Sequence, residues 1–534
     1  MIKKQLFATI LSGLLLALSF PFIGDLAILS FVAFIPLLFI EDSIYRAKTK
    51  SINLLFLSYI TFFIYNLGVT WWIWNASVGG AALAFILNSL IMSLVFQLYH
   101  IAKKQLGVRL GSICFVVFWV AFEYLHFYWE LSWPWLNLGN IFSNNTMLIQ
   151  WYSITGVLGG SLWVVGVNML LFNLLKAYVI DKHPIKSLYL KITFFFSALL
   201  IPILFSFLIY YSFKGDQGID TEVVITQPNI DPYNEKFTGD ISSQLDKITD
   251  LADSLVTDKT AFVIAPETAL PFIFYEDEVE RIIHYHYLVE RKAQWKNAAF
   301  LIGASTKKFF KNKHSRASRK LIGGPGYEEN YNSSMLINHF DKPSFTHKSK
   351  LVLGVEKIPY SDIFPFLEDL SINNGGASGT LGTEEYAQVM RSRNVKFAPV
   401  VCYESIYGAY VSEQCRKGAE LIFILTNDGW WGNTPGYKQH MSFARLRAIE
   451  NRKCVARSAN TGYSCFINQL GDVVYQSKWW QPTSAKAILK RNKIKTTYMK
   501  WGDYIGFICV FISFLFLILI VKKRISLIYI NRRV

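Results

Sequence analysis

Cys402 closes the apolar run F-A-P-V-V-C-Y-E-S (397–405). A cysteine at the end of a strand, followed by a polar turn, is placed like a nucleophile presented at the top of a sheet, as in the hydrolase nucleophile elbow. A free thiol ionises near pH ~8.5 and is mostly protonated at neutral pH, so a catalytic cysteine needs a base, a cation or both. Two residues at similar junctions could supply them. Glu267 follows an apolar strand and a proline in V-I-A-P-E-T-A-L-P (263–271), and Lys348 lies in H-K-S-K-L-V (347–352). Glu267 could accept the thiol proton, and Lys348 could stabilise a thiolate and the oxyanion of a tetrahedral intermediate. No histidine is obviously placed for a Cys–His pair; His440, in K-Q-H (438–440), is the nearest candidate. Alone, each residue has a bland reading: a cysteine after a strand is usually core, and a glutamate or lysine is usually solvated. The three contexts together point to thiol chemistry.

The segments that must hold these residues alternate strands with helices. Short strand-like runs occur at 221–227, 261–265, 299–305, 333–338, 396–401, 421–426 and 463–468. Ile241, Leu245, Ile248, Leu251 and Leu255 recur at helical spacing between the first two, and 276–293 and 435–453 also read as helices. This alternation indicates an α/β sheet packed by helices. Two insertions interrupt it. Residues 358–372 contain the apolar string I-F-P-F-L and could dip into a membrane surface, and 373–383 is glycine-rich without Walker spacing.

The rest of the chain is of a different kind. Of 534 residues, 52% are hydrophobic and only 17% charged, below the roughly one quarter usual for soluble proteins; the mean hydropathy is +0.28. Apolar runs of about the ~20 residues that cross a bilayer as a helix are expected from residue 5 onward, then near 24–41, 52–74, 81–102, 111–129, 153–176, 189–213 and 503–521. The M-I-K-K start followed by an apolar run mimics a signal peptide, but no convincing cleavage site follows, so it reads as a retained span. The net charge of +16 sits largely in short loops beside these runs, the pattern of the positive-inside rule rather than of a nucleic-acid groove. The loops at 42–51, 103–110 and 177–188 are basic, whereas 75–80 and 130–152 hold no Lys or Arg. That places 214–500 on the external face.

The expected organisation is a seven-span membrane domain (1–213), an external catalytic domain (214–500), and a last span with a basic cytoplasmic tail (501–534). The loop L-S-W-P-W-L-N-L-G-N (131–140) reads equally as a tryptophan anchor at the interface or as the border of a lipid path. Glu123 and His126 fall in or near the fifth span, where an ionisable group is either functional or part of a helix–helix hydrogen bond. None of the six cysteines forms a C-x-x-C pair. Cys114 and Cys509 read as packing residues. Cys415, Cys454 and Cys465 read as core, or two of them could pair.

The order Glu, Lys, Cys, each ending a strand, resembles the carbon–nitrogen hydrolase (nitrilase) superfamily. With the flanking spans, the chain resembles its membrane branch, the bacterial apolipoprotein N-acyltransferases. The segments carrying the resemblance are V-I-A-P-E-T-A-L-P, K-S-K-L-V-L-G-V-E-K-I-P (348–359), P-V-V-C-Y-E-S-I-Y-G (399–408), Y-N-S (331–333), L-T-N-D-G-W-W-G (425–432), R-L-R-A-I-E-N-R (445–452) and W-P-W-L-N-L-G (133–139). The family usually has L-V-P-F-G-E where this chain has L-V-L-G-V-E (351–356). This keeps Lys348 and Glu356 in register but changes the loop between them, and Lys350 is a nearby competitor for the lysine role.

The resemblance implies a polytopic α-helical membrane domain of about eight spans plus an external nitrilase-like αββα sandwich. It implies Glu267 as general base, Lys348 as catalytic lysine, Glu356 as a second essential glutamate and Cys402 as nucleophile. Asn332 and Glu404 would support the site, backbone N–H groups near Tyr403 would hold the oxyanion, and Trp430, Trp431, Tyr403 and the 358–372 arm would border a lateral opening. The implied reaction moves an acyl chain from a membrane phospholipid, phosphatidylethanolamine foremost, through a Cys402 thioester to the α-amine of a diacylglyceryl-cysteine at a lipoprotein N-terminus. No metal, cofactor or nucleic acid is called for. A monomer in the inner membrane, its catalytic domain periplasmic, is expected. The rival readings are a membrane-anchored amidase or nitrilase in which water resolves the thioester, and a transporter or scaffold with an inert binding module.

Overall fold

The computed structural model describes residues 2–48, 50–338, 342–360 and 379–531. Most of the 358–372 arm and part of the 373–383 glycine-rich run therefore lie outside the described residues. The chain divides into two compact units, one made of 1–71, 79–212 and 503–534, the other of 72–78 and 213–502.

The first unit is helical because its segments are apolar almost all round, leaving the backbone as the only group to satisfy its own hydrogen bonds. Among the described residues, seven helices are long and apolar enough to cross a membrane: Ala27–Ala47, Ile52–Thr70, Val78–Leu106, Val108–Leu125, Val157–Ile180, Ile185–Ser212 and Tyr504–Ser526. They correspond to the second to eighth expected spans. The first expected span is the 18-residue helix Ile2–Ser19, outside that set.

One buried carboxylate of this unit is fully answered from within it. The Glu123 carboxylate accepts from Trp119 Nε1 (2.9 Å), the Leu138 N–H (3.0 Å) and Ser161 Oγ (2.5 Å). It thus ties helix Val157–Leu175 and the 131–140 loop to its own helix, so the helix–helix hydrogen-bond reading of Glu123 is the one that holds. The same contact corrects the reading of the loop as an interface anchor. Trp135, Leu136, Asn137 and Leu138 are buried, and Trp133 stacks on Trp135 at 5.6 Å.

In the second unit, seven strands come first: β1 (Ile219–Gln227), β2 (Thr260–Ile264), β3 (Leu270–Tyr275), β4 (Ala299–Phe310), β5 (Arg319–Lys320), β6 (Tyr327–Ile337) and β7 (Ser344–His347). Six follow: β8 (Met390–Ser392), β9 (Val395–Val401), β10 (Leu421–Thr426), β11 (Val455–Ala459), β12 (Cys465–Ile467) and β13 (Val473–Gln476), and then β14 (Thr483–Arg491). Among the described residues these make two sheets. The first runs β14-β1-β2-β4-β6-β5, with β3 on β4 and β7 on β6, and the second runs β13-β12-β11-β10-β9-β8. β14 returns to the first sheet, antiparallel to β1 from Ile219↔Arg491 to Gln227↔Thr483.

Strand alternation assigns each face to a layer. Val223, Ile225, Phe262 and Ile264 of the first sheet meet Phe397, Phe423 and Leu425 of the second. The Phe262 ring lies edge-on to Phe397 and Phe423 at 5.3 and 5.0 Å. The opposite faces carry helices. Leu245 and Ile248 (helix Ile241–Asp253) and Leu288 (helix Ile283–Ala293) cover Val224, Val263 and Phe300. Val411 (helix Gly408–Arg416) and Met441, Ala444 and Ala448 (helix Pro435–Asn451) cover Val400, Ile422 and Ile424. The result is the expected αββα sandwich. The expected helix over 276–293 is split at Ile282 into a 3-10 turn (Glu276–Arg281) and the helix Ile283–Ala293. All six cysteines are buried and free, so the suggested pairing among Cys415, Cys454 and Cys465 does not occur.

Candidate active site

Glu267, Lys348 and Cys402 line one cavity of about 160 Å³ in the second unit, together with Asn332, Glu356 and Asn427. The parallel pairing of β9 with β10, Val401 opposite Leu425, brings two strand ends together there. Cys402 follows β9 directly and has φ +50°. That left-handed conformation is sterically costly for a residue with a side chain, and it is held by hydrogen bonds. Glu404 accepts from the Val401 N–H (2.8 Å) and the Ser349 N–H (2.6 Å), so it staples the elbow to the lysine segment. Ser405 Oγ donates to the Cys402 carbonyl at 2.8 Å, and Arg447 donates to the Ser405 and Ile406 carbonyls at 3.0 and 2.7 Å.

Glu267 sits on the corner after β2, pressed against β4 at Gly303. A Cβ there would lie 2.6 Å from the Glu267 Cα and 2.4 Å from the Thr268 nitrogen. Only glycine permits that approach. One carboxylate oxygen accepts from Asn332 Nδ2 (2.8 Å) and Lys348 Nζ (3.1 Å), the other from the Asn427 N–H (3.1 Å). Lys348 Nζ lies 2.9 Å from Glu356, whose same oxygen takes Asn332 Nδ2 at 2.9 Å. The altered L-V-L-G-V-E loop closes in this register: Gly354 takes φ +79°, and the second Glu356 oxygen accepts from the Val352 N–H at 2.9 Å. Gly354 supplies the left-handed position of this turn.

Lys350 points elsewhere, its Nζ 5.4 and 5.8 Å from the ring centres of Tyr407 and Tyr410. His440 does not pair with the thiol in this geometry. Its Nδ1 meets Asp428 at 3.0 Å and its Nε2 meets the Cys402 carbonyl at 3.1 Å. Asp428 is in turn paired with Arg457 at 2.7 Å. The Tyr403 ring packs edge-on against Tyr407 at 5.5 Å and is buried, and Trp430 and Trp431 line the cavity.

The electrostatics divide the roles. Burial alone would raise the Glu267 carboxyl, but Lys348, the Asn332 amide and Lys236 hold it below the usual carboxylate range. Burial, and then the Glu267 charge, push the Cys402 thiol up, against the pull of Lys348. Burial would strip the proton from Lys348, but Glu267 and Glu356 hold it firmly charged. The resting arrangement is therefore a neutral thiol, an ionised carboxylate and a fixed ammonium, which suits a carboxylate base acting on a thiol nucleophile. Burial pushes the Glu404 carboxyl up to about 7 in spite of its two backbone donors.

Lys236 is a member of the site that sequence reasoning missed. It is buried, with Nζ 3.1 Å from the Glu267 carbonyl and hydrogen-bonded to Thr268 Oγ1. Burial lowers it to about 8, opposed by Glu267 and Cys402. Thr268, β-branched, has φ +46°, so Lys236 braces a strained corner. Nothing in the surrounding D-P-Y-N-E-K-F sequence separates this lysine from a surface one.

The lining also has an apolar part: Phe237, Val355, Leu381, Trp430, Trp431 and Ala76. Trp430 lies against Tyr233 and Phe237 (5.2 and 6.5 Å), and Trp431 against Trp72 (4.9 Å). The Tyr233 hydroxyl donates to the Trp430 carbonyl at 2.8 Å and Asn75 Nδ2 to the Trp431 carbonyl at 3.0 Å. Residues 72–78 thus pack with the α/β unit, although they join two membrane-length helices, Ile52–Thr70 and Val78–Leu106, in the chain.

A carbon-nitrogen hydrolase family model matches residues 223–498. The chain belongs to the carbon-nitrogen hydrolase family. Residues 12–170 match a second model, the apolipoprotein N-acyltransferase N-terminal domain. An apolipoprotein N-acyltransferase of Chlorobaculum tepidum is 29% identical over 98% of this chain and 98% of its own. That of Geobacter metallireducens is 25% identical over 95% of this chain and 94% of its own. Among solved structures, an amidase from Nesterenkonia sp. aligns with 53% of this chain and 95% of its own at 14% identity, with a TM-score of 0.35. The two models fall on different stretches of the chain, 12–170 and 223–498.

Proposed function

We propose that this protein is a phospholipid-dependent apolipoprotein N-acyltransferase working through a thioester on Cys402. The observation that carries the reading is the mixed lining of the cavity. A thiol, a carboxylate and an ammonium line it, and so does an aromatic, apolar wall that includes Ala76. Ala76 lies just before the membrane-length helix Val78–Leu106. A site for a small soluble amide has no need of such a wall, whereas a donor and acceptor whose acyl chains stay in a bilayer do. The full-length relatives and the N-terminal family match support transfer over amide hydrolysis.

In the first half-reaction, Glu267 takes the Cys402 proton as the sulfur attacks the ester carbonyl of a phospholipid, phosphatidylethanolamine being the expected donor. Lys348 and backbone N–H groups at the Cys402–Tyr403 turn stabilise the oxyanion. Collapse expels the lysophospholipid alkoxide, which takes the proton back from Glu267, and leaves an acyl thioester. In the second, the neutral α-amine of a diacylglyceryl-cysteine attacks the thioester and Glu267 accepts the amine proton. Collapse breaks the C–S bond, the departing thiolate is reprotonated by Glu267, and the amide product leaves. Glu356 keeps Lys348 charged and placed in both. Asn332 Oδ1 is buried and has no protein partner among the described residues, so it is free to accept from the incoming amine N–H. Trp430 and Trp431 form the lipid-facing wall.

The basic loops at 42–51, 103–110 and 177–188 support the reading that the catalytic unit lies on the external, periplasmic face of the inner membrane. The enzyme is taken to act as a monomer.

The test is transfer from a phospholipid carrying a radiolabelled acyl chain. Wild-type protein in lipid is expected to form a hydroxylamine-sensitive acyl-protein that is chased onto a diacylglyceryl-cysteinyl peptide, and Cys402→Ala to form none. Release of free fatty acid with no peptide product would favour the hydrolase reading.

A further inference from the structure

A second cavity of the α/β unit, about 430 Å³, shares no lining residue with the Cys402 cavity. Its rim is cationic: Arg391 from β8, Lys396 from β9, Arg416 and Lys417 at the end of helix Gly408–Arg416, and Lys493 and Lys495 beyond β14. The floor holds Lys453, 1% exposed. Its ammonium donates to the Asn492 carbonyl (2.9 Å), Asn492 Oδ1 (2.6 Å) and the Ile494 carbonyl (2.8 Å). These three acceptors use up its three donors, yet none brings a negative charge. Burial lowers Lys453 to about 8.

Counter-charge is scarce. Glu420, the carboxylate on the lining, is bridged to Arg491 at 2.8 Å, and Lys417 pairs with Glu413 at 3.0 Å. Among the described residues, no carboxylate lies within salt-bridge distance of Arg391, Lys396, Arg416, Lys493 or Lys495. Cations at a helix C-terminus offset the helix dipole, which accounts for Arg416 and Lys417. It does not account for convergence of five more from other elements on one concavity.

The chain supplies a direction for the ligand. Lys493 and Lys495 lead directly into the short helix Thr497–Trp501 and then into the membrane-length helix Tyr504–Ser526. Basic residues flanking a membrane helix draw phosphate-bearing headgroups. We propose that this cavity binds phosphate, and that its ligand is the phosphate of an anionic phospholipid of the surrounding bilayer. The proposal stands independently of the transferase reading, because the cavity shares no residue with the thiol site.

The experiment uses full-length protein in nanodiscs of mixed phosphatidylcholine and phosphatidylglycerol, with the lipids that stay bound identified by native mass spectrometry. Wild type is expected to retain phosphatidylglycerol over phosphatidylcholine. The variant R416Q/K493Q/K495Q changes only exposed side chains and should keep its melting temperature. It is expected to lose that preference roughly tenfold or more. In a second arm, inorganic phosphate is titrated against lipid-free protein in detergent. A phosphate-dependent rise in melting temperature, present in wild type and lost in the variant without any lipid preference in nanodiscs, would keep the phosphate site and overturn its lipid source. Equal behaviour of wild type and variant in both arms would overturn the proposal.

Discussion

Two buried lysine–carboxylate clusters, one in each unit, differ in what surrounds them. In the helical unit, Lys103 lies 2.5 Å from Glu41 and 3.2 Å from Asp42, and His100 and Lys176 add contacts of 2.8 and 2.6 Å. In the α/β unit, Lys348 lies 3.1 Å from Glu267 and 2.9 Å from Glu356. Both lysines are 1% exposed. The first cluster joins helix Ile35–Ala47 to Asn88–Leu106 and to the helical segment at Lys176, and each of its charges meets an opposite one. The second opens onto a cavity and sits beside a thiol on a strained turn, with an unpaired Asn332 oxygen. Both sets of charges are paired; under the proposed function, the second differs in that a neighbouring thiol and amide oxygen are left for a substrate.

The sharpest way to break the comparison is to remove the same charge from each. Lys348→Met and Glu267→Gln should each slow single-turnover acylation by roughly a thousandfold or more, because base and electrostatic stabilisation are lost together. Lys103→Met should instead cost about 3–5 kcal/mol of stability, as the Glu41 and Asp42 charges stay buried without it. Its acylation rate per folded molecule should stay near wild type. Rapid-quench acylation and thermal unfolding in the same detergent separate the two outcomes.

The pH dependence follows from the directions at the site. Glu267 is held below its ordinary value. Its interactions therefore stabilise the fold fully above the unfolded carboxylate pKa and are lost as pH falls through the lower folded one, and acylation should fail on that acid limb. Lys236 has the same sign in a higher pH window, although burial rather than a charged partner depresses it. With a folded value of about 8 against an ordinary 10.5, the unfolded chain binds the extra proton between those values, so stability should rise with pH across that window. Lys236→Met should slow acylation about tenfold by freeing the Glu267–Thr268 corner. It should also move the acid limb of the rate profile to higher pH, since Glu267 loses a neighbouring cation; an unmoved limb would show that Lys236 only packs. The smallest effect is expected from Lys350→Gln, within about twofold of wild type in acylation rate, because that side chain lies over Tyr407 and Tyr410 outside the cavity.

Much of this site was legible because its residues end strands. V-I-A-P-E and P-V-V-C-Y-E-S announce an apolar strand and its last residue, and spacing alone places Glu267 and Cys402 at sheet ends. Lys348, directly after β7, was reached through its local sequence. What stayed hidden depends on partners far along the chain. β11, V-A-R-S-A, looks too polar for a central strand until Arg457 is seen paired with buried Asp428. β14 was not foreseen because T-S-A-K-A-I-L-K-R gives no hint that it crosses back to β1. The 131–140 loop suggested an interface by its tryptophans, but Glu123 draws its backbone inward. His440 suggested a base for the thiol, but Asp428 and the Cys402 carbonyl occupy its two nitrogens.

The measurement that bears most directly on the thiol assignment is peptide-mapped mass spectrometry of full-length protein quenched in acid after mixing with a phospholipid of defined acyl chains. One acyl chain is expected on the peptide that contains Cys402, and it should disappear when a diacylglyceryl-cysteinyl peptide is added and reappear on that peptide's α-amine. Peptide acylation at the wild-type rate by Cys402→Ala protein, with no acyl chain ever found on Cys402 of wild type, would contradict the assignment.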